Sequence, residues 1–331
     1  MEARSLQQIF QSFTNVTALI VGDVMLDSYI WGAVERISPE APVPIVTVKK
    51  KDYRLGGAAN VALNIHALGG KPILCALIGQ DEDGVKLMHR LDDRAISKEG
   101  IVISKSRPTT VKTRVIASDQ HVVRVDEESD AEVNEQEEKM MLDRIKKLLP
   151  DCQVVVFEDY DKGALNTNII EKTIQWAKEY GIPTVVDPKK RNFHAYKNVT
   201  LFKPNLKELR EGLKVEVEAR NQAQVANAVD LLKAKLHAEG VMVTLSEHGV
   251  YIDFQHEKIK LPAHVREIAD VSGAGDTVIS IVALCVALKL SPSLIASLSN
   301  LGGGLVCQHV GVVPIDKSEF LAEAIAEKIM A

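Results

Sequence analysis

The run DVSGAGDTV, Asp270 to Val278, sets a turn of small residues, Gly273-Ala274-Gly275, directly before the apolar stretch TVISIVALCVAL. Small residues let backbone N–H groups approach a bound group closely. The free N–H groups and the dipole of a helix start favour an anion there. Asp276 stands at that start. A carboxylate in this place can take the proton from a hydroxyl that attacks a phosphoryl group held by the same N–H groups. An N-capping aspartate after a tight glycine turn has the same spelling. No P-loop pattern, GxxxxGKS or GxxxxGKT, occurs in the chain.

Three further stretches carry residues with chemistry. In LGGAANVALNIHALGG, Leu55 to Gly70, a second glycine turn opens a helix whose Ala59, Ala62, Ile65 and Leu68 share one face. Gly56 and Gly57 would let backbone amides meet a ligand, and Asn60 offers a donor and an acceptor suited to sugar hydroxyls. The alternative is a glycine turn with tight packing through alanines. The dinucleotide fingerprint GxGxxG is absent and the turn is not expected to follow a strand directly. In KPNLKEL, Asn205 and Glu208 lie one helical turn apart, flanking Leu206 and Lys207. Their oxygens face the same way, as hydrated Mg²⁺ requires. A capping box, with Asn205 as cap and Glu208 three residues on, has the same pattern. In VGDVMLD, Asp23 and Asp27 just past a first strand could hold sugar hydroxyls or cap a following turn. Lys162 and Lys189, after two other strands, could bind phosphate or sit in solvent.

Elements must position these groups. TALIVGD, PILCALIG, QVVVFED, PTVVD, VTLFKPN and VMVTLS read as strands, and helical-period segments such as ALNTNIIEKTIQWAKEYG alternate with them. Runs such as VVVF lack polar alternation, as in strands buried on both faces of a parallel sheet. The pattern predicts an α/β fold with a doubly wound, mostly parallel sheet flanked by helices, and ligands at the carboxyl ends of its strands. VPIVTVKK (43–50) and VKTRVIASDQHVVRVDEE (111–128) read as β without helices of their own, the second as a hairpin turning at SDQ. They predict a small sheet projecting from the main one, with segments about 32–52 and 108–126. RISPEAPVPIV (36–46), with three prolines, reads as a stiff extended lead into that sheet: a rigid connector without ligand contact, or a segment that holds Arg36 and Glu40 at the mouth of a ligand site or braces a partner's sheet. The acidic stretch DEESDAEVNEQEEK (126–139) reads as a solvated loop and helix start.

With 331 residues, 46% hydrophobic and 26% charged, the chain can bury a large core. A net charge of -5 argues against nucleic acid as the main partner. The N-terminus lacks an apolar signal-peptide core and the best apolar run, VISIVALCVALKL, is too short to span a membrane. Cys75, Cys152, Cys285 and Cys307 are far apart, and three lie in apolar runs as reduced core residues would. A cytoplasmic protein is expected.

In their order along the chain, these motifs resemble those of the PfkB, or ribokinase-like, sugar kinases over essentially the whole length. GGAANVALNIHALG is similar to the first family motif, DVSGAGDTVIS to the second, NLKE to the magnesium element NxxE, and TLSEHG to the strand-turn beside the adenine. The resemblance implies a single domain spanning 1–331, a central, mostly parallel sheet with the small sheet as its β lid over the sugar, which closes to exclude water. It implies ATP and Mg²⁺ as cofactors. Asp276 would be the catalytic base, and the N–H groups from Gly273 through Ala274 and Gly275 to Asp276 an anion hole. Asn205 and Glu208 would position Mg²⁺ through water, and Ser246 and Gly249 would border the nucleotide. Asp27, Gly56, Gly57 and Asn60 would bind sugar hydroxyls.

Within the family, GDVMLDSYIWG, RISPEAPVPIV, TVKTRVIASDQHVVRVDEE and EDYDKGAL resemble the D-glycero-β-D-manno-heptose-7-phosphate kinases. That narrower resemblance implies phosphorylation of the anomeric hydroxyl to the 1,7-bisphosphate, in making ADP-heptose for lipopolysaccharide. Lys112, Arg114, Lys162 and Lys189 would be the cationic choices for the 7-phosphate. Bifunctional members carry a nucleotidyltransferase domain with an HxGH motif, which this sequence lacks, so a kinase-only form with a separate adenylyltransferase is expected. Glu158 stands where serine is more usual and receives no role. Dimerisation through the lid is expected of the family. Other readings remain: a PfkB kinase for fructose, ribose or a nucleoside, or a sugar- or nucleotide-binding regulator without catalysis.

Overall fold

A computed structural model describes residues 5–117, 120–264 and 267–329. The first part of the chain forms α1 (Leu6–Ser12), β1 (Thr17–Gly22), β2 (Val24–Ile37), β3 (Pro44–Gly57), α2 (Ala58–Ala67), β4 (Lys71–Gly79), α3 (Glu82–Asp92) and β5 (Ile101–Ser104). Next come β6 (Val111–Ala117), β7 (Gln120–Glu127), α4 (Glu135–Leu148), β8 (Val154–Glu158), α5 (Thr167–Glu179), β9 (Thr184–Asp187), β10 (Leu201–Phe202) and α6 (Leu206–Leu213). The last part forms α7 (Gln222–Leu236), β11 (Gly240–Thr244), β12 (Val250–Phe254), β13 (Glu257–Leu261), α8 (Ala274–Ala287), α9 (Pro292–Val306) and α10 (Lys317–Ala326).

Nine strands make one sheet in the order β13-β12-β11-β10-β9-β8-β1-β4-β5. It is parallel throughout except at β12 and β13, which pair antiparallel. Alternate residues of one strand feed opposite cores, as a pleat requires. Ala18 and Ile20 of β1, with Val154 and Val156 of β8, pack in one core with α2, α8 and α9. Leu19, Val21, Val155 and Phe157 pack in the other with α4, α5 and α7. Because both faces are covered, these strands read as continuous apolar runs.

A second, four-stranded sheet in the order β3-β2-β6-β7 contains the segments expected as a lid. Its β2–β3 hairpin begins at Val24 and returns at Gly57, beyond the expected 32–52. Asp23 therefore leads into a strand rather than a capped turn. Burial fades along β2 from Val24 to Ile37 as the strand leaves the core, which hides it from a periodicity reading. The glycine pair Gly56-Gly57 is the end of β3 itself, so α2 does follow a strand directly.

The proline-rich stretch is the tip of this hairpin, not an extended lead. Ser38 N–H donates to the Val43 carbonyl at 2.9 Å, and Pro44 opens β3. Arg36 and Glu40 sit exposed there. Of the expected SDQ turn, Ser118 and Asp119 lie outside the described residues. The hairpin β12–β13 and the helix-free path from β9 to β10 were not legible as such. Three cysteines, Cys75, Cys152 and Cys285, are buried free thiols as expected.

Candidate active site

The N-terminus of α8 meets Tyr160 just after β8, Asp187 at the end of β9 and Asn60 of α2, and chemistry-bearing residues gather at that junction. Gly273 caps α8 with φ 80°, a left-handed conformation suited to glycine. A Cβ there would also lie 2.9 Å from Asn60 Nδ2. Ala274 N–H donates to the Val271 carbonyl at 3.3 Å. Gly275 and Asp276 follow in the first turn, where N–H groups have no acceptor within the helix.

Asp276 is buried and both its oxygens are engaged. Asn60 Nδ2 donates to Oδ2 at 2.7 Å, and the Tyr160 hydroxyl donates to Oδ1 at 2.8 Å. Burial pushes the carboxyl up to about 6; the bonds from Asn60 and Tyr160 pull it down, while the nearby Asp187 and Asp27 charges raise it. Asn60 is itself oriented by Asn64, whose Nδ2 donates to the Asn60 carbonyl at 2.9 Å. Asn64 Oδ1 in turn accepts from Thr277 Oγ1 at 3.2 Å and from Ile315 N–H at 3.0 Å. Asn60 is thus buried beside Asp276, its Nδ2 given to that carboxylate and its Oδ1 3.2 Å from Asn64 Nδ2.

Asp23 is likewise turned inward. Its carboxylate accepts from the backbone N–H groups of Tyr160 (2.8 Å), Lys162 (3.1 Å) and Ala164 (3.0 Å). It shapes the loop after β8 that presents Tyr160. Asp27 lies on β2 opposite Arg54 of β3 and Lys112 of β6, and accepts from Arg114. Gly56 makes room for it: a Cβ there would fall 2.2 Å from Asp27 Oδ2. Gly57, with φ 57°, has no room for a Cβ, which would fall 2.5 Å from the Asp23 carbonyl oxygen.

At β10, Asn205 caps α6 and the capping box is complete. Glu208 N–H donates to Asn205 Oδ1 and Asn205 N–H to Glu208 Oε2, both at 2.8 Å. The remaining oxygen, Glu208 Oε1, meets Lys189 Nζ at 2.6 Å. Leu206 packs against the core and Lys207 is exposed beside Glu211. The Ser246–His248 turn follows β11, and Thr244 bridges to Asn205, so Ser246 and Gly249 lie beside the Asn205 corner. Gly249 has φ 85° and a Cβ there would meet the Leu261 carbonyl oxygen at 2.0 Å.

The same corner holds Asp187, whose Oδ2 pairs with Lys203 Nζ at 2.8 Å, and Glu158, fully buried with both oxygens lacking a hydrogen-bond partner. Burial, then Asp187 and Asp276, hold the Glu158 carboxyl well above the usual range. Among the described residues, no three His, Cys, Asp or Glu side chains form a metal cage. Both oxygens of Glu208 are engaged, by Lys189 and by the Asn205 N–H, so a hydrated cation would meet this corner through water rather than through an open carboxylate.

The four expected phosphate-binding cations divide between two places. Lys189 pairs with Glu208, stands 4.0 Å from Asp187, and lies over the Tyr160 ring, 5.2 Å from its centroid, at the Asn205 corner. Lys112, Arg114 and Lys162 cluster on the lid side. Sequence reasoning missed Tyr160 and Lys203. Their only signal was position, just after β8 and β10.

The model of the family described as "pfkB family carbohydrate kinase" matches residues 17–318. The bifunctional protein HldE of Geotalea uraniireducens is 36% identical over 324 residues, which cover 98% of this chain and 66% of that protein. The bifunctional protein HldE of Caulobacter vibrioides is 38% identical over 319 residues, 96% of this chain and 65% of that protein. The chain thus spans just under two thirds of the length of these relatives. Phosphofructokinase-2 from Escherichia coli, solved with fructose-6-phosphate, superposes with TM-score 0.76 at 19% identity, covering 93% of this chain and 98% of that one. Arabidopsis thaliana ribokinase, solved with ribose and ATP, gives 0.71 at 17%, covering 92% and 98%. At such identities the two structures speak to the fold alone. The family match over residues 17–318 speaks to descent: the chain belongs to the pfkB family of carbohydrate kinases, phosphotransferases that act on sugar hydroxyls.

Proposed function

We propose that the chain transfers the γ-phosphoryl group of ATP to the anomeric hydroxyl of D-glycero-β-D-manno-heptose 7-phosphate. The 1,7-bisphosphate would pass to an adenylyltransferase on the way to ADP-heptose and lipopolysaccharide, in the cytoplasm. The observation that carries the chemistry is Asp276 at the start of α8, held by Asn60 and Tyr160 beside the first-turn N–H groups. Asp276 would take the hydroxyl proton as the oxygen attacks. The N–H groups of Gly275 and Asp276 would receive charge developing on the transferred group. Lys189, Asn205 and Glu208 would face the nucleotide, with Mg²⁺ supplying charge neutralisation along its phosphates. No helix among the described residues is long and apolar enough to cross a membrane.

The heptose reading is supported by the ordered motifs GDVMLDSYIWG, RISPEAPVPIV and EDYDKGAL and by the likeness to proteins named HldE. A coupled ADP-release assay over heptose 7-phosphate, heptose, fructose 6-phosphate, fructose, ribose and adenosine tests it. Turnover on heptose 7-phosphate far above the rest is expected. A preference for any other acceptor overturns the substrate, and no turnover at all overturns the kinase.

A homodimer joined through the lids is part of this reading. Val48, Val123 and Val125 are each 49% exposed on the lid strands, an apolar surface that a second copy would cover. Light scattering should give twice the 36.3 kDa chain mass for the native protein and one chain for Val123→Lys combined with Val125→Lys. A native protein at single-chain mass rules the dimer out.

A further inference from the structure

On the lid side, two lysines from distant elements close on one carboxylate. Lys112 of β6 places Nζ 2.8 Å from Glu128 Oε2, and Lys162 of the loop after β8 places Nζ 2.7 Å from Glu128 Oε1. Lys112 also meets Asp126 at 3.3 Å. The two lysine side chains are only 13% and 18% exposed, so this is a pocketed pair rather than a solvated face. Burial works against ionisation of Glu128, and the hydrogen bonds from Lys112 and Lys162 overcome it, holding its carboxyl below the usual range.

The surroundings match a subsite at the sugar end. Lys112 and Arg114 alternate along one face of β6, with Asp27 opposite Lys112 on β2 and bonded to Arg114. Lys162 N–H binds Asp23. Glu128 itself lies past the end of β7, outside any strand or helix. Arg107 fastens its segment to the Lys162 loop, donating to the Ser129 and Ala131 carbonyls at 3.2 Å and to the Lys162 carbonyl. Lys189 is excluded from this place by its pairing with Glu208 and Asp187 at the Asn205 corner.

We propose that Lys112 and Lys162 form the subsite for a phosphate ester on the sugar, and that Glu128 is a built-in competitor which fills that subsite until the ester arrives. This rests on the reading that the acceptor sugar is itself phosphorylated. A phosphomonoester brings roughly twice the charge of a carboxylate and three acceptor oxygens, so it can replace Glu128 while leaving both ammonium groups paired. Glu128, on an irregular segment, can turn to solvent without breaking a ladder. Its presence raises the ligand concentration needed for occupancy, and sugars without the ester leave the latch in place.

Calorimetric titration with inorganic phosphate, alongside KM for heptose 7-phosphate, tests this on the full chain. Glu128→Gln should tighten phosphate binding by about fivefold, the scale of one partly exposed ion pair. Lys112→Met and Lys162→Met should each weaken it by about tenfold or more, as loss of a charged hydrogen bond does. Lys162→Arg should retain binding, and thermal melts identify any variant that fails to fold. Unchanged or weaker phosphate binding in a folded Glu128→Gln overturns the proposal. If phosphate binding responds as expected yet no sugar phosphate is turned over, the subsite stands and the substrate reading falls. If heptose 7-phosphate is turned over but phosphate binding ignores all three changes, the subsite alone falls.

Discussion

Asp276→Asn should lower kcat by about 10²–10⁴-fold, the range for loss of a positioned general base, with ATP affinity nearly unchanged. The side chain keeps its size, and the amide can still accept from Asn60 or Tyr160. What it loses is the capacity to take a proton. The native pH profile carries a matching signature. Burial sets the Asp276 carboxyl at about 6. A general base works ionised, so kcat/KM should be flat above that value and fall about tenfold per unit below it. The asparagine variant should lack that acid limb. Steady-state kinetics from pH 4.5 to 8.5, with nucleotide binding measured separately, checks both. Near-native turnover in the variant would remove Asp276 from the role.

Gly57→Ala should cost about 2–6 kcal/mol, combining backbone strain with overpacking, each about 1–3 kcal/mol. Gly57 holds φ 57° and ψ -135° at the junction of β3 and α2, and an added Cβ would sit 2.5 Å from the Asp23 carbonyl oxygen. That carbonyl cannot retreat freely, because it accepts the Ala58 N–H at 2.9 Å. Against a usual total of about 5–15 kcal/mol, the loss is large. Gly181→Ala is the control. It too has positive φ, 66°, but nothing lies within 4 Å of its Cβ, so it isolates the conformational share. Urea melts should show a far larger loss at Gly57 than at Gly181; equal losses would mean the collision is absorbed.

The large sheet was legible because its strands are buried on both faces, so QVVVFED and TALIVG needed no context to be read. The lid was only half legible. β2 begins as core and ends as surface, and no single period describes it. Asp276 and the glycine turns could be picked out because local chemistry marks them. Their partners could not, since Asn60 lies 216 positions away and Tyr160 lies 116. That Asn60 braces the Asp276 carboxylate depends on which side of α2 faces α8, which the sequence does not spell out. Glu128 was hidden differently: within an acidic run it reads as solvated charge, and only the fold brings Lys112 and Lys162 to it.

The small sheet is assembled from two separated stretches of chain, so Asp27 and its partner Arg114 stand 87 positions apart. Closing so long a loop costs more entropy than turning a hairpin, although the increment grows only logarithmically. The two hairpins that meet there are local, yet a lone hairpin is marginal in water. Their joining seam, the parallel ladder from Leu26–Val111 to Gly32–Ala117, must therefore offset the loop. Between the two stretches lie β3, α2, β4, α3 and β5, whose packing holds Val111 beside Leu26. The small sheet thus draws its stability from the body beneath it, and a weakening of the segment between residues 58 and 110 should loosen the seam between β2 and β6.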